Sequence, residues 1–226
     1  MNRRRYSSLA FPTIVLLLFG SIYGGYPIPG TNLRGVDVSS PAYTGMIIAT
    51  VGLIGLPVTI AAYRETGVLR RLRATPLHPF TFLGAEVFVN LLMTGLGIAL
   101  LLSARLVFDI RSPQAPLSVL LALVLSCVSF FAVGFALGGL LPTVRVALAV
   151  GQASFFPMLF LSGAAIPRSE LPDTFYRVSE FLPLTYVVLL IQDLWIDGTW
   201  NLSAAAVVIG VLVAAGVVSS LTFRWE

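Results

Sequence analysis

Lysine is absent from this chain of 226 residues, which contains one cysteine and one histidine. Without lysine the chain cannot form a P-loop, whose lysine contacts the phosphates of a bound nucleotide, so this route to ATP hydrolysis is excluded. The single cysteine, Cys127, excludes a disulfide framework and a cysteine-based metal cluster. We interpret Cys127 and His78 as structural residues and predict no catalytic, metal-binding or cofactor-binding site in this chain.

Charged side chains are also few, at 11% of the residues, whereas 57% are hydrophobic. Apolar side chains on this scale exceed what one soluble core buries, so a soluble globular domain is excluded. The fourteen basic residues, all arginine, and ten acidic residues give a net charge of +4. In so apolar a chain, excess arginine is typical of cytoplasmic loops beside a membrane rather than of a nucleic-acid partner.

Six apolar stretches are long enough to cross a membrane as helices, because a bilayer requires roughly 20 residues per crossing. They cover residues 7–25, 43–62, 80–103, 117–141, 146–165 and 202–223. The first stretch also resembles a secretory signal, but no clean small-residue cleavage site follows it and five further stretches do. The sequence therefore predicts an all-α membrane protein with six transmembrane helices in a single domain, residues 1–226.

Arginine is concentrated on one side of these predicted spans. With the amino terminus inside, the cytoplasmic segments hold nine of the fourteen arginines, and seven of the ten acidic residues lie outside. This asymmetry follows the rule that loops rich in Lys and Arg stay in the cytoplasm. We therefore predict a multi-pass protein with both termini cytoplasmic.

A short arginine-rich segment, residues 63–76, separates the second and third spans. Drawn as a helix, it places Val68 and Leu72 on one arc and its arginines on the rest, and Pro76 ends it. Glu65 falls on the apolar arc, where a merely solvated charge is not expected, so we predict a docking contact. The alternative is an arginine cluster that sets the topology and touches anionic lipid headgroups; periodicity does not separate the two.

The segment of residues 166–201 is too polar for a full crossing and too apolar for open water. Pro157, Gly163 and Pro167 interrupt the end of the fifth span before it. We predict an external re-entrant segment of two short helices, hinged near Pro183, that dips into the outer leaflet. The alternative is an ordinary external loop with one interfacial helix.

Two strings in these segments resemble the signatures of a known family. They read Arg64-Glu65, Gly67, Leu69, Leu72 and Ala74-Thr75-Pro76, then Phe160-Leu161-Ser162-Gly163, Pro167, Leu171-Pro172 and Leu182-Pro183-Leu184-Thr185-Tyr186. In this order they resemble the coupling-helix and carboxy-terminal signatures of the ABC type-2 transporter permease family, the membrane subunits of bacterial drug, antibiotic or polysaccharide exporters. One departure is that family members usually carry an amphipathic helix before the first span, where this chain has only Arg3 to Tyr6.

The resemblance implies a transport subunit rather than an enzyme. It implies export of an amphipathic drug, antibiotic or lipid-like substrate across the bacterial inner membrane, with ATP and magnesium bound by two copies of a separate ATPase subunit. It also implies a second permease copy, forming a homodimer. Two alternatives stay open: a substrate-capturing membrane subunit of an ATP-driven importer, and export of lipid or glycan rather than of drugs.

The resemblance also assigns roles to residues of both strings. The ATPase-coupling set that it implies is Arg64, Glu65, Gly67, Leu69, Arg70, Leu72, Arg73, Thr75 and Pro76. The set that it implies for the re-entrant segment and outer gate is Ser162, Gly163, Pro167, Pro172, Pro183 and Tyr186.

Polar residues inside the predicted spans are the remaining candidates. Glu86, with Asn90 one turn later, lies in the third span, where an ionised carboxylate costs about 3 kcal/mol at the bilayer centre. Two interpretations stay open: a structural ion pair with Arg64, Arg73 or Arg145 at the inner surface, and a direct role in coupling or substrate passage. In the fifth span Gln152 is the corresponding buried candidate, most simply as a hydrogen-bonding group between helices.

Overall fold

The computed structural model describes residues 35–68, 79–103, 112–165, 168 and 171–222. All regular structure in these ranges is helical, so the predicted all-α class is confirmed for them. In chain order the elements are α1 (Gly35–Ala49), a π-helical segment (Thr50–Gly55), α2 (Leu56–Glu65), α3 (Pro79–Ser103), α4 (Pro116–Leu140), α5 (Val144–Leu161), α6 (Asp173–Ser179), α7 (Pro183–Ile196) and α8 (Leu202–Thr222).

Within the described ranges, four helical stretches are long and apolar enough to cross a membrane. They are Asp37–Glu65, Pro116–Leu140, Val144–Leu161 and Leu202–Leu221. The bent pair α6 and α7 passes the same test as a fifth, and α3 contributes the apolar stretch Gly84–Ala99. The first predicted span, residues 7–25, lies outside the described residues, so the count of six stays a prediction.

The second span begins earlier than predicted. It was expected at residues 43–62, but α1 begins at Gly35 and the helix continues through the π-helical segment to Glu65. Polar side chains at its start favour a loop when only composition is considered. In the structure Asp37, Ser40 and Thr44 are buried against the rest of the bundle, so these polar residues belong to the helix.

The central helix widens at Thr50–Gly55, where its hydrogen bonds are π-helical. The N–H group of Leu56 donates to the carbonyl of Val51, five residues back. Pro57 follows, and its ring would clash with the carbonyl of Leu53 in a regular α-helix while offering no N–H group. A wider turn before the proline avoids this clash.

Glycines bring α4 and α5 against the π-helical segment and α2. A side chain at Gly134 would collide with the carbonyl of Gly52, and a Cβ at Gly151 would lie 2.5 Å from a main-chain oxygen of the π-helical segment. A Cβ at Gly138 would lie 2.8 Å from the side chain of Ile60. We call Gly134, Gly138 and Gly151 the glycine seam. Helix backbones approach this closely only where side chains are small.

The helices α6 and α7 form a bent pair beside α1. Their axes meet at 88°, and the bend lies at residues 180–182, immediately before Pro183. Gln192 Nε2 donates to the carbonyl of Val38 at 3.1 Å, and a Cβ at Gly45 would lie 3.0 Å from Val188, so α7 runs antiparallel to α1. The two short helices and their hinge are present as predicted, and α7 is packed inside the bundle.

Two local predictions are wrong. Pro157 does not interrupt the fifth span, since α5 continues past it to Leu161 and ends before Gly163, whose φ is 89°. The predicted helix 63–76 does not begin at Tyr63, because residues 63–65 form the last turn of α2. Helix α2 ends at Glu65 with Thr66 as its C-cap, and Gly67 has a φ of 70°, a left-handed conformation that suits glycine.

Candidate functional site

The side chain of Arg64, at the end of α2, caps the carboxy-terminal end of α4. Its Nη1 donates to the carbonyl of Leu141 at 2.8 Å, and its Nη2 donates to those of Gly138 at 2.8 Å and Gly139 at 3.3 Å. The last carbonyls of an α-helix have no partner in the helix and carry partial negative charge. Arg64 satisfies three of them with one cation, in hydrogen bonds strengthened by its charge.

The next residue, Glu65, caps the amino-terminal end of α5. Its Oε1 accepts a 2.8 Å hydrogen bond from the N–H group of Val144, the first residue of that helix. The Thr143 hydroxyl oxygen accepts from Val146 N–H at 3.3 Å and caps the same turn. A carboxylate is favoured here because the amino-terminal N–H groups of a helix carry partial positive charge.

Two consecutive residues of α2 therefore hold both sides of the turn at residues 141–143, and we call Arg64 and Glu65 the α2 clamp. Each charge faces the helix end of opposite polarity. The chain turns at Thr66 and Gly67 directly afterwards, so the rest of segment 63–76 starts next to a fixed point of the bundle. Residues 69–78, with Leu69, Leu72 and Pro76, lie outside the described residues.

The clamp gives Arg64 and Glu65 partners that the sequence did not predict. Arg64, one of three arginines named as possible partners of Glu86, bonds to the carboxy-terminal end of α4. One carboxylate oxygen of Glu65 accepts from the N–H group of Val144, and the predicted docking contact of Glu65 with a partner stays a prediction. A signal for this was present in the turn, where Thr143 precedes an apolar run and is typical of a helix N-cap.

The bend between α6 and α7 is fixed by hydroxyl groups of the second string. Thr185 Oγ1 donates to the carbonyl of Ser179 at 2.6 Å, and the hydroxyl of Tyr186 donates to that of Glu180 at 2.7 Å. Both acceptors lie at the end of α6, where carbonyls lack helical partners. Tyr186 was a predicted site residue, whereas Thr185 was only quoted in the string. Pro183 begins α7 and so defines the position of the bend.

The other predicted gate residues lie between α5 and α6. Ser162 is buried, and its Oγ accepts a 3.3 Å hydrogen bond from Ala164 N–H. Gly163 packs against the side chain of Arg168, whose guanidinium lies 4.5 Å from the ring centre of Tyr176. Pro172 precedes the first residue of α6, and Pro167 lies outside the described residues. These contacts order a connection between helices and bring no nucleophile and base together.

Of the polar candidates inside the predicted spans, those of α3 are buried or half-buried, whereas Gln152 of α5 is exposed. Glu86 is buried, and its Oε1 accepts from Asn90 Nδ2 at 3.0 Å. Thr94 is buried on the same face of α3. Gln152 was predicted to be buried, but in the single chain its side chain is exposed, because α5 turns Gly151 and not Gln152 toward the π-helical segment. Among the described residues no three His, Cys, Asp or Glu side chains form a group that could hold a metal ion.

Comparisons with known proteins agree with the two strings. Residues 2–194 match the family described as ABC-2 type transporter. A protein of Cyanophora paradoxa named as a transport permease, ycf38, is 26% identical over 206 residues, which cover 88% of this chain and 70% of that protein. Nodulation protein J of Sinorhizobium fredii is 43% identical over 72 residues, 28% of this chain and 27% of that protein.

The family match covers nearly the whole chain, and permeases of this family work with an ATPase partner. The apolar helices of the described ranges agree with a multi-pass membrane location. The chain therefore belongs to the ABC-2 type transporter family and is the membrane subunit of an ABC transporter.

Proposed function

We propose that this chain is the permease subunit of an exporter in a bacterial inner membrane, and that it moves an amphipathic drug, antibiotic or lipid-like substrate out of the cell. The match of residues 2–194 to the ABC-2 family carries the proposal. ATP and magnesium bind to two copies of a separate ATPase subunit, and both termini of the chain lie in the cytoplasm.

In this proposal, the ATPase contacts the segment that follows α2. The α2 clamp and the turn at Gly67 supply a fixed starting point for that segment. An apolar stripe with flanking arginines then suits a groove on a partner protein. The proposed contact set after the clamp is Gly67, Leu69, Arg70, Leu72, Arg73, Thr75 and Pro76.

The distribution of charge supports an amphipathic or lipid-like substrate. In the helices described here, charged residues lie near the helix ends, with Glu86 in α3 the exception. A strongly ionic substrate would need compensating charges along its path, because burying an ion in an apolar medium is costly. The alternative substrate is a lipid or glycan rather than a drug. The alternative direction is import, with this chain as a substrate-capturing membrane subunit.

An exposed stripe on α5 supports a second copy of this chain as a partner. Leu148, Gln152, Phe156 and Phe160 recur every four residues and share one exposed face. The amide of Gln152 would lack hydrogen-bond partners in lipid, which disfavours a lipid-facing position. Across a twofold axis the same stripe would meet its own copy, and the two glutamine amides would pair.

The test is reconstitution of the permease with its ATPase in sealed vesicles. We expect the two proteins to purify as a complex, and ATP added on the cytoplasmic side to move an amphipathic fluorescent substrate to the other side. Movement in the opposite direction would support the importer, and transport of lipid-linked glycan but not of drugs would support the second substrate class. Absence of any ATPase in the purified complex would contradict the proposal.

A single substitution tests the contact segment. Leu72→Asp should abolish complex formation while leaving membrane insertion intact, because a carboxylate in the apolar stripe opposes burial against a partner. Leu72→Met keeps volume and apolarity and serves as the control. Normal assembly and transport by the Leu72→Asp variant would show that the segment is not the ATPase contact.

A further inference from the structure

We infer that Arg64 and Glu65 act inside this chain as positioning residues: they make the end of α2 move as one body with the adjoining ends of α4 and α5. The role of this body in transport rests on the proposed function of the segment after Gly67. The roles assigned from the sequence had both residues contact the ATPase directly. The hydrogen bonds of the α2 clamp support a role within the permease instead.

The first step concerns the polar atoms of the clamp. Both terminal nitrogens of Arg64 donate to carbonyls at the carboxy-terminal end of α4, those of Leu141 and Gly138, each at 2.8 Å. Glu65 Oε1 accepts from Val144 at 2.8 Å. These are charge-assisted hydrogen bonds between elements 74 to 79 residues apart in the chain. Both terminal nitrogens of Arg64 and one carboxylate oxygen of Glu65 are therefore engaged within this chain.

The second step concerns the helices above the clamp. Only residues 141–143 separate α4 from α5, so these two helix ends are joined by a very short connection. Further along, the glycine seam packs α4 against α2, with Gly138 against Ile60 and Gly134 against Leu56. The clamp and the seam are thus two separate attachments between α2 and α4. Gly151 attaches α5 to the π-helical segment, which continues directly into α2.

The third step is the consequence for movement. Because α2 is attached to α4 both at the clamp and at the glycine seam, it cannot rotate or slide against α4. Closely packed interiors do not deform continuously. A displacement of the segment after Gly67 therefore moves α4 and α5 together with α2. Without the clamp, the last turn of α2 loses these hydrogen bonds to the ends of α4 and α5, and the same displacement unwinds that turn.

The first experiment measures the attachment in the permease alone. Spin labels are placed on Thr66→Cys and Val146→Cys, one beyond the clamp and one on α5, both at exposed positions. Cys127 is buried and stays in place. We expect one narrow distance distribution, which broadens when Arg64→Met or Glu65→Ala is added. Arg145→Ala removes an exposed charge beside the same turn and should leave the distribution unchanged.

The second experiment measures coupling in the reconstituted complex. In Arg64→Met and Glu65→Ala we expect ATPase affinity and hydrolysis to stay within about twofold of the parent, while substrate transported per ATP falls about tenfold, the factor for one charge-assisted hydrogen bond. Glu65→Gln keeps an oxygen that accepts from Val144 and should restore most transport. Arg64→Lys should restore less, since an ammonium cannot span three carbonyls as a guanidinium does.

The outcomes separate this inference from the proposed function. Unchanged label distances in both variants, a parallel loss of ATPase affinity and transport, or a Glu65→Gln variant as defective as Glu65→Ala would each overturn it. If the parent chain binds no ATPase, the proposed function fails, and the label distances still decide whether the clamp holds the helices together.

Discussion

The hydroxyl group of Thr185 donates a 2.6 Å hydrogen bond to the carbonyl of Ser179, across the 88° bend between α6 and α7. Thr185 is buried, and so is Ser179. The bond joins the first turn of one helix to the last residue of the other, so it stabilises the angle between them and not either helix alone.

Thr185→Val should therefore lower the free energy of unfolding by about 1–2 kcal/mol, because a buried carbonyl loses a partner while the side-chain shape is kept. Chemical unfolding in detergent measures this change. We also expect the distance between labels on α6 and α7 to broaden.

The control for this substitution is Thr44→Val. Thr44 is equally buried, but its hydroxyl donates to Ser40 within the same helix, where such bonds contribute little to stability. We expect a change within about 0.5 kcal/mol. Equal losses in the two variants would contradict a specific role of Thr185 at the bend.

Gly134→Ala should destabilise the protein by about 1–3 kcal/mol, because its added methyl group collides with the carbonyl of Gly52 and forces α4 away from the central helix. Thermal unfolding of the purified protein measures the loss. Gly216→Ala is the matched control, since a Cβ there meets nothing within 4 Å. It should leave stability unchanged or raise it by up to about 1 kcal/mol, as alanine favours helix. A neutral Gly134→Ala would show that the seam is not closely packed.

Asn201 joins α7 to α8 through hydrogen bonds, and substitution by aspartate would introduce a negative charge there. Its Oδ1 accepts from Ala204 N–H at 3.0 Å as a cap of α8, and its Nδ2 donates to Asp193 Oδ2 at 2.8 Å. Asn201→Asp keeps the cap but places two carboxylates together, so we expect a loss of about 1–2 kcal/mol at neutral pH. Acidification should reduce this loss, because protonation of one carboxyl group removes the repulsion.

Asn201→Ser serves as the comparison, since serine also caps helices and brings no charge. Its loss should be smaller at neutral pH and should not shrink on acidification. Unfolding curves at two pH values measure both variants. An Asn201→Asp variant whose loss is independent of pH would exclude repulsion between residues 193 and 201 as the cause.

Gln152→Cys tests the second copy that the α5 stripe is proposed to meet. On a twofold axis the two cysteines would lie close together, so oxidation in the membrane should yield a disulfide-linked dimer. Val213→Cys is the control, because Val213 is an exposed apolar residue of α8 with no polar neighbour to suggest a partner. Gel electrophoresis without reductant detects the product. Equal cross-linking at both positions would indicate random collision and not an interface.

The sequence predicted helices best where apolar residues run without interruption. The predicted spans 117–141 and 202–223 agree with α4 and α8 to within one residue at each end. Prediction failed at the start of α1, where buried polar residues imitate a loop, and at Pro157, which the helix accommodates. In both places the outcome depends on packing against neighbours, which local composition does not contain.

Candidate residues were predicted better than their contacts. Arg64, Glu65 and Tyr186 were selected from the strings in which they occur, and each makes a specific hydrogen bond in the structure. Their partners were not predicted, and Gln152, predicted to be buried, is exposed in the single chain. A helix face becomes buried or exposed only when the neighbouring helices are in place.

Hydropathy, the distribution of arginine and two short strings by themselves determined the all-α membrane class and the family, because these depend on the local order of residues. The tertiary structure decided which helix end the side chains of Arg64 and Glu65 bind. Arg64 and Glu65 bond to groups more than 70 residues away, and only the folded chain brings such groups within hydrogen-bonding distance.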